Sequence, residues 1–458
     1  MWCSILPLEL FHLWWMLQPV ICYDLNPESL PLNLKSLNNY STQKSKNMKR
    51  LGFILLFIAG LGIQLTAQEF SSFKPSQFSK DTNYGSFNYV QLMYFKGDHL
   101  TYPQGFEDAF SHGYNAFELR LGWQSTGRQT WQQLHKYPVY GLGVFASSLG
   151  TADVDSVVGA PSGIYFFYGE PLFRVGKKFT SYFDLAIGLS YDFVPYDAEN
   201  NPANDVIGSR VNLYFNGNIM FMYEASERLD FNLGFNFFHF SNGRSNTPQR
   251  GINMGGLNIG AKYNFNAIKG HTKLVDPNYQ PPIRPTYIKE PKPKLERFGE
   301  LQFMASVGTV ETEPGEAKTS TGEQDTTALQ KRYYTSTIAV DYAYKVAHRL
   351  KLHAGLDAFV DGSLENYIPN TAPQDVTSAQ KFMAGYHVGF QYLIERFSFY
   401  YSLGWYMYKE TDTRGNWYMR AGGRIGLTDD IDAHIALKTR NGGIADWIEW
   451  GVAYKLKL

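Results

Sequence analysis

The sequence predicts an all-β fold, a transmembrane antiparallel β-barrel built from two tandem eight-stranded barrels, with one sixteen-stranded barrel as the alternative. Three observations predict it. Apolar and polar residues alternate with period two through strand after strand. Tyr, Phe and Trp make up 16% of the 458 residues, while mean hydropathy is only −0.30. That combination suits a barrel, in which every second residue faces lipid. Finally, Met48-Lys49-Arg50, an apolar run from Leu51 to Leu65 and Thr66-Ala67-Gln68 form an export signal.

The signal peptide is expected over 48–67, with cleavage after Ala67; its apolar run is too short to span a bilayer. Residues 1–47 read as an upstream extension, with Met48 the expected start. Both cysteines, Cys3 and Cys22, lie in that extension. The exported chain would therefore hold neither disulfides nor thiolate metal sites. Lys+Arg and Asp+Glu both total 42. A balanced charge gives no reason to expect nucleic acid as a partner. No phosphate loop, zinc spacing or dinucleotide fingerprint occurs, so no cofactor and no metal are expected.

The segment Phe179–Phe193 illustrates the strands. Phe179, Phe183, Leu185, Ile187, Leu189 and Phe193 share one face, against Thr180, Asp184, Gly188, Ser190 and Asp192. Phe117, Leu119, Leu121 and Trp123 stand likewise against Glu118, Arg120 and Gln124. A soluble sandwich also alternates, but rarely sets charge so regularly opposite aromatics. Eight strands are expected near 84–96, 112–124, 138–149, 161–175, 178–194, 208–223, 228–241 and 252–266. Their connections are mostly long and Gly/Pro/Asn-rich on one side. On the other they are tight, as at Lys177-Lys178 and Ser226-Glu227, with 125–137 longer than the rest. Long outer loops and short periplasmic turns are the rule in the bacterial outer membrane.

Residues 267–297 interrupt the pattern with Pro277, Pro281, Pro282, Pro285, Pro291 and Pro293, and read as a stiff periplasmic linker. The second barrel, 298–458, repeats the rhythm near 300–312, 331–346, 349–360, 380–394, 396–409, 416–427, 431–440 and 444–458. This predicts an internal duplication over 84–266 and 298–458. In the second copy Asp432, His434, Lys438, Arg440 and Glu449 read as a luminal salt-bridge network. His99 and His112, with Asp98 and Glu107, are conceivable metal ligands but read as scattered surface residues.

One constellation has the composition of a catalytic site. The lipid-facing row Phe231, Leu233, Phe235, Phe237 ends in His239 and Ser241, at the extracellular end of an outward-running strand. A His base can activate a Ser hydroxyl for acyl transfer. Asn242 and nearby backbone N–H groups are candidates for the oxyanion. Asn253, on the same face of the next strand, is the candidate to orient His239.

His239-Phe240-Ser241-Asn242-Gly243, Pro248, Gly251-Ile252-Asn253, Leu257-Asn258-Ile259-Gly260 and Tyr263 together resemble the closing hairpin of the lipid A 3-O-deacylase (PagL) family, also called acyloxyacyl hydrolase-like. Tyr137 to Gly143, Pro195-Tyr196-Asp197 and Ile207-Gly208-Ser209 add to the resemblance, which covers about 84–266. It implies an eight-stranded outer-membrane barrel that hydrolyses an ester-linked acyl chain of lipid A, so lipopolysaccharide of the outer leaflet is the expected partner. It also implies Ser241 as nucleophile, His239 as general base and Asn242 at the oxyanion. Asn253 stands where the family has Glu. An amide orients an imidazole but does not stabilise its cation by charge. Glu170 and Glu224 are conceivable substitutes. The competing reading is a barrel without catalysis, serving as a small pore, a lipid binder or an assembly partner.

Overall fold

The computed structural model describes residues 86–100, 112–267, 282–287, 291–312, 321, 323, 331–368 and 370–458. The expected extension 1–47, the signal peptide 48–67 and Glu107 lie outside the described residues. Among the described residues, sixteen strands close into two separate antiparallel barrels, so the sixteen-stranded alternative is not needed. The first comprises β1 (Ser86–His99), β2 (Tyr114–Gln124), β3 (Val139–Ser148), β4 (Gly159–Val175), β5 (Phe179–Phe193), β6 (Asn212–Glu224), β7 (Leu229–Ser241) and β8 (Ile252–Ala267). The second comprises β9 (Gly299–Glu311), β10 (Arg332–Ala347), β11 (Leu350–Asp361), β12 (Phe382–Ile394), β13 (Phe397–Lys409), β14 (Trp417–Gly426), β15 (Ile431–Arg440) and β16 (Ile444–Lys457). Each barrel closes by pairing its first strand with its last, β1 with β8 and β9 with β16. Most strand ends fall within two residues of those read from the alternation.

The faces follow the expected parity. Phe117, Leu119, Ile187, Leu233 and Phe235 stand exposed on the outside of the first barrel, as do Ile338, Leu356 and Val388 on the second. So wide an apolar belt is stable only against lipid. The lumens are plugged. In the first, Arg120 bonds Glu118 and Asp184, and Tyr165, Tyr214 and Asn216 saturate the Glu118 carboxylate. In the second, the expected network is present: Arg420 pairs with Glu449 and Asp357, Lys438 with Asp446, and His434 stands 3.5 Å from Glu449. Lumens of eight strands are normally filled by side chains in this way.

The long connection 125–137 holds a short helix, α1 (Thr130–Leu134), at the tight-turn end of the first barrel. A second helix, α2 (Ala152–Val158), opens β4 and is capped by the Thr151 side chain. The described part of the linker lies against the first barrel. Arg284 pairs with Asp230 and with Glu224, and the Arg174 guanidinium sits 4.1 Å over the Tyr287 ring.

Candidate active site

β7 and β8 form the hairpin that builds the candidate site. Their register sets His239 directly opposite Asn253. Both lie on the outward face, one cross-strand pair from the open end. A directly opposed pair puts side chains within reach of each other. His239 Nδ1 and Asn253 Oδ1 are 2.6 Å apart. An amide oxygen only accepts, so Nδ1 carries the proton and Nε2 keeps its lone pair. Among the described residues no side chain or backbone group hydrogen-bonds that Nε2. This is the tautomer a general base requires.

Ser241 is the last residue of β7, two positions beyond His239 on the same face. The two side chains are not hydrogen-bonded to each other; the Ser241 hydroxyl accepts from Gly243 N–H at 3.1 Å. They nevertheless flank one spot. A Cβ on Gly251 would stand 3.5 Å from His239 Cε1 and 3.5 Å from Ser241 Cβ. Gly251 has φ +68°, and that Cβ would also lie 2.7 Å from the Phe240 carbonyl oxygen. Glycine therefore suits this position both for its backbone and for the space it leaves.

Asn242 is buried and both ends of its amide are engaged elsewhere. Its Nδ2 donates to Ser209 Oγ at 3.0 Å and its Oδ1 accepts from Arg244 N–H at 3.0 Å. It shapes the 242–244 turn, and Gly243 N–H is the backbone donor beside Ser241. Glu170 and Glu224 are far from the site. Glu224 pairs across to Asp230 at the opposite end of β6 from Phe215, which faces His239. Glu170 binds His135 at that same opposite end. His99 is likewise occupied, its Nε2 standing 2.6 Å from the Leu149 carbonyl.

What the strand pattern did not reveal is that the second barrel reaches this corner. Thr247 N–H donates to Glu311 Oε2 at 2.8 Å, and Thr247 Oγ1 donates to the Thr312 carbonyl at 2.7 Å. Glu311 N–H in turn donates to the Arg244 carbonyl at 3.1 Å, and Arg244 donates to Tyr367 Oη at 3.0 Å. Ile448 lies so close to Gly243 that an added Cβ would be 2.5 Å from its Cγ1. Ile448 is 9% exposed, whereas Trp450, next on the same outward face of β16, is 55% exposed. Ser241 is 6% exposed on a face that elsewhere meets lipid. A second clasp joins the barrels at the tight-turn end, where His135 bonds the Leu393 carbonyl and Glu170 takes Arg349 and Tyr392 Oη.

Residues 115–262 match the family model of lipid A 3-O-deacylase (PagL), a span holding the whole hairpin with His239, Ser241 and Asn253. The first barrel belongs to the PagL family. Residues 299–458, the second barrel, match the model of the acyloxyacyl hydrolase C-terminal domain. The motif-level resemblance covers about 84–266, with the second copy sharing only the general layout, and this second match extends the likeness to 299–458. Among solved structures the chain is similar to the outer membrane enzyme PagL (13% identity, 37% of this chain and 97% of that one, TM-score 0.25). It is also similar to CdiB from Acinetobacter baumannii (10% identity, 81% and 60%, TM-score 0.16) and to the NanC porin (8% identity, 80% and 98%, TM-score 0.14). No curated protein matches the chain. Within that span, the Asn253 amide oxygen reaches His239.

Proposed function

We infer that the chain is an outer-membrane esterase that removes an ester-linked acyl chain from lipid A, with Ser241 as nucleophile and His239 as general base. The observation that supports this best is the His239–Asn253 hydrogen bond on the lipid-facing side of a PagL-family barrel. It leaves a lone pair on Nε2 at the outer-leaflet end, beside a serine.

In the reaction, Ser241 Oγ attacks the ester carbonyl and passes its proton to His239 Nε2. The sugar hydroxyl leaves with that proton. Water, deprotonated by the same nitrogen, then releases the fatty acid and restores the serine. Asn253 holds the ring in the competent tautomer throughout. Gly243 N–H, already within 3.1 Å of Ser241 Oγ, is the backbone donor best placed for the oxyanion. Asn242 serves at one remove, by holding the turn that presents it. The acyl chain reaches Ser241 along the seam between the barrels, with Ile448 and Leu437 of the second barrel as part of its apolar wall.

Mass spectrometry of lipid A from cells expressing the wild type, Ser241→Ala and His239→Ala tests the assignment. Loss of one hydroxyacyl chain with the wild type alone is the expected result. If the wild type leaves lipid A as it is in empty cells, the enzyme reading fails. If Ser241→Ala deacylates as fast as wild type, the nucleophile is wrong.

A further inference from the structure

Three side chains inside the second barrel converge, with one close contact among them, His387 Nε2 to Asp341 Oδ1 at 3.1 Å. Asp341 on β10, His353 on β11 and His387 on β12 all point into the lumen and are 1%, 4% and 1% exposed. The register explains how they meet. Asp341 and His387 both sit opposite Gly355, and His353 is two residues back on the same face of β11. Gly355 leaves the centre open, because a Cβ there would be 2.5 Å from Asp341 Oδ1 and 2.9 Å from His387 Cε1.

The far nitrogen of each imidazole is held. His387 Nδ1 lies 2.7 Å from Asp357 Oδ2, and His353 Nε2 lies 3.0 Å from Ser402 Oγ. Asp357 is itself fixed by Arg420 at 2.8 Å. The near atoms are the ones left over. His353 Nδ1, His387 Nε2 and both Asp341 oxygens are buried with no hydrogen-bond partner. His387 Nε2 and Asp341 Oδ1 are 3.1 Å apart, yet not aligned as a hydrogen bond. One donor atom from each of the three residues can be chosen so that all lie within 4.8 Å of one another.

Leaving that many buried polar atoms without an aligned hydrogen bond is costly even with His387 and Arg424 near Asp341. Imidazoles oriented from behind by a carboxylate and a hydroxyl, with their front nitrogens converging on a carboxylate, are the arrangement of metal ligands and their supports. We propose that Asp341, His353 and His387 bind a divalent transition-metal ion of the zinc class inside the second barrel. Zinc–nitrogen bonds of about 2.0–2.1 Å set tetrahedral donors roughly 3.3 Å apart, a spacing that small side-chain rotations reach here. The charge permits it. Asp341, Asp357 and Glu449 oppose Arg420 and Arg424, the latter 3.7 Å from Asp341. With neutral imidazoles this set sums to minus one before a dication enters. The ligands come from three strands, which is why no zinc spacing is visible along the chain. The ion would staple β10, β11 and β12 together.

The test is metal analysis of the full chain, folded in detergent, after equilibration with zinc alone and removal of excess by dialysis. Cobalt substitution adds a visible ligand-field spectrum for the donor set. Expected are about one ion per chain for the wild type, and loss of most of it in Asp341→Asn and His387→Gln. His434→Gln, a luminal change outside the triad, should retain it. Heat-modifiable migration shows which variants have folded. Should both triad variants fail to fold, the wild-type stoichiometry and cobalt spectrum still decide. A folded wild type holding no stoichiometric zinc or cobalt overturns the proposal, and His387 then serves as an imidazolium between Asp341 and Asp357. Equal binding by wild type and folded Asp341→Asn overturns it as well.

Discussion

Replacing Asn253 by Ala removes the oxygen that accepts from His239 Nδ1 at 2.6 Å. The ring sits in a partly buried corner, so its N–H loses a partner that water replaces poorly. Leaving such a donor unpaired costs about 1–3 kcal/mol. The free ring also gains a second tautomer and a second orientation, neither with Nε2 available to the serine. At about 1.4 kcal/mol per tenfold in rate, deacylation should fall by about 5- to 150-fold. Asn253→Asp is the informative partner, because the carboxylate is almost the same shape and a charge-assisted hydrogen bond is roughly twice as strong as a neutral one. It should run at or above the wild-type rate. The assay is a time course of fatty-acid release from lipid A in mixed micelles, with folded barrel quantified by heat-modifiable migration. If Asn253→Ala matches the wild type with equal folded protein, Asn253 does not orient the base and the reasoning fails.

Other outcomes follow from the same geometry. Gly251→Ala places a Cβ at positive φ and 2.7 Å from the Phe240 oxygen; it should lower stability by about 1–3 kcal/mol and depress activity, read by thermal unfolding in detergent. Glu311→Ala deletes the acceptor of Thr247 N–H, a hydrogen bond to a charged group worth about 1.5–3 kcal/mol; deacylation should drop several-fold while both barrels still fold. The plug of Arg120, Glu118 and Asp184 predicts no measurable conductance in planar bilayers, and Arg120→Ala should leave the first lumen less stable and still without a wide pore. In the 361–381 loop region, burial works against the Glu365 carboxylate, yet hydrogen bonds from Lys381 and Lys331 hold it below its usual 4.5. A depressed carboxylate stabilises above its unfolded pKa and loses that contribution as pH falls through the folded value. Limited proteolysis in this loop should therefore quicken below about pH 4.5, and Glu365→Gln should quicken it at neutral pH.

Strand positions and faces were legible because alternation is a local signal with period two, and a plugged lumen beside lipid sharpens it. The same signal gave the outward direction of His239 and Ser241 and put Asn253 on their face; that Asn253 stands directly opposite His239 is set by the strand register across the loop 242–251, which parity alone does not fix. Side-chain choices within that frame were not legible. Asn242 was expected at the oxyanion, yet its amide is committed to Ser209, a residue from another loop. The clasp of Thr247 on Glu311 and Thr312 joins residues about sixty positions apart. It lies between two outward faces, and outward residues look alike whether they meet lipid or protein. The Asp341, His353 and His387 cluster was hidden for a related reason: each residue is an ordinary inward polar position on its own strand.

The two clasps between the barrels have a consequence for how a lipid arrives. A lone eight-stranded barrel turning about the membrane normal presents its reactive side to every direction in the leaflet. With His135, Glu170 and Arg349 pinning one rim, and Thr247 and Glu311 the other, the two barrels turn as one body. The corner holding Ser241 then faces the notch between them. For the proposed esterase, a lipid diffusing in the plane would meet Ser241 through that notch, a narrower target but one that would align an acyl chain before the ester reached the serine.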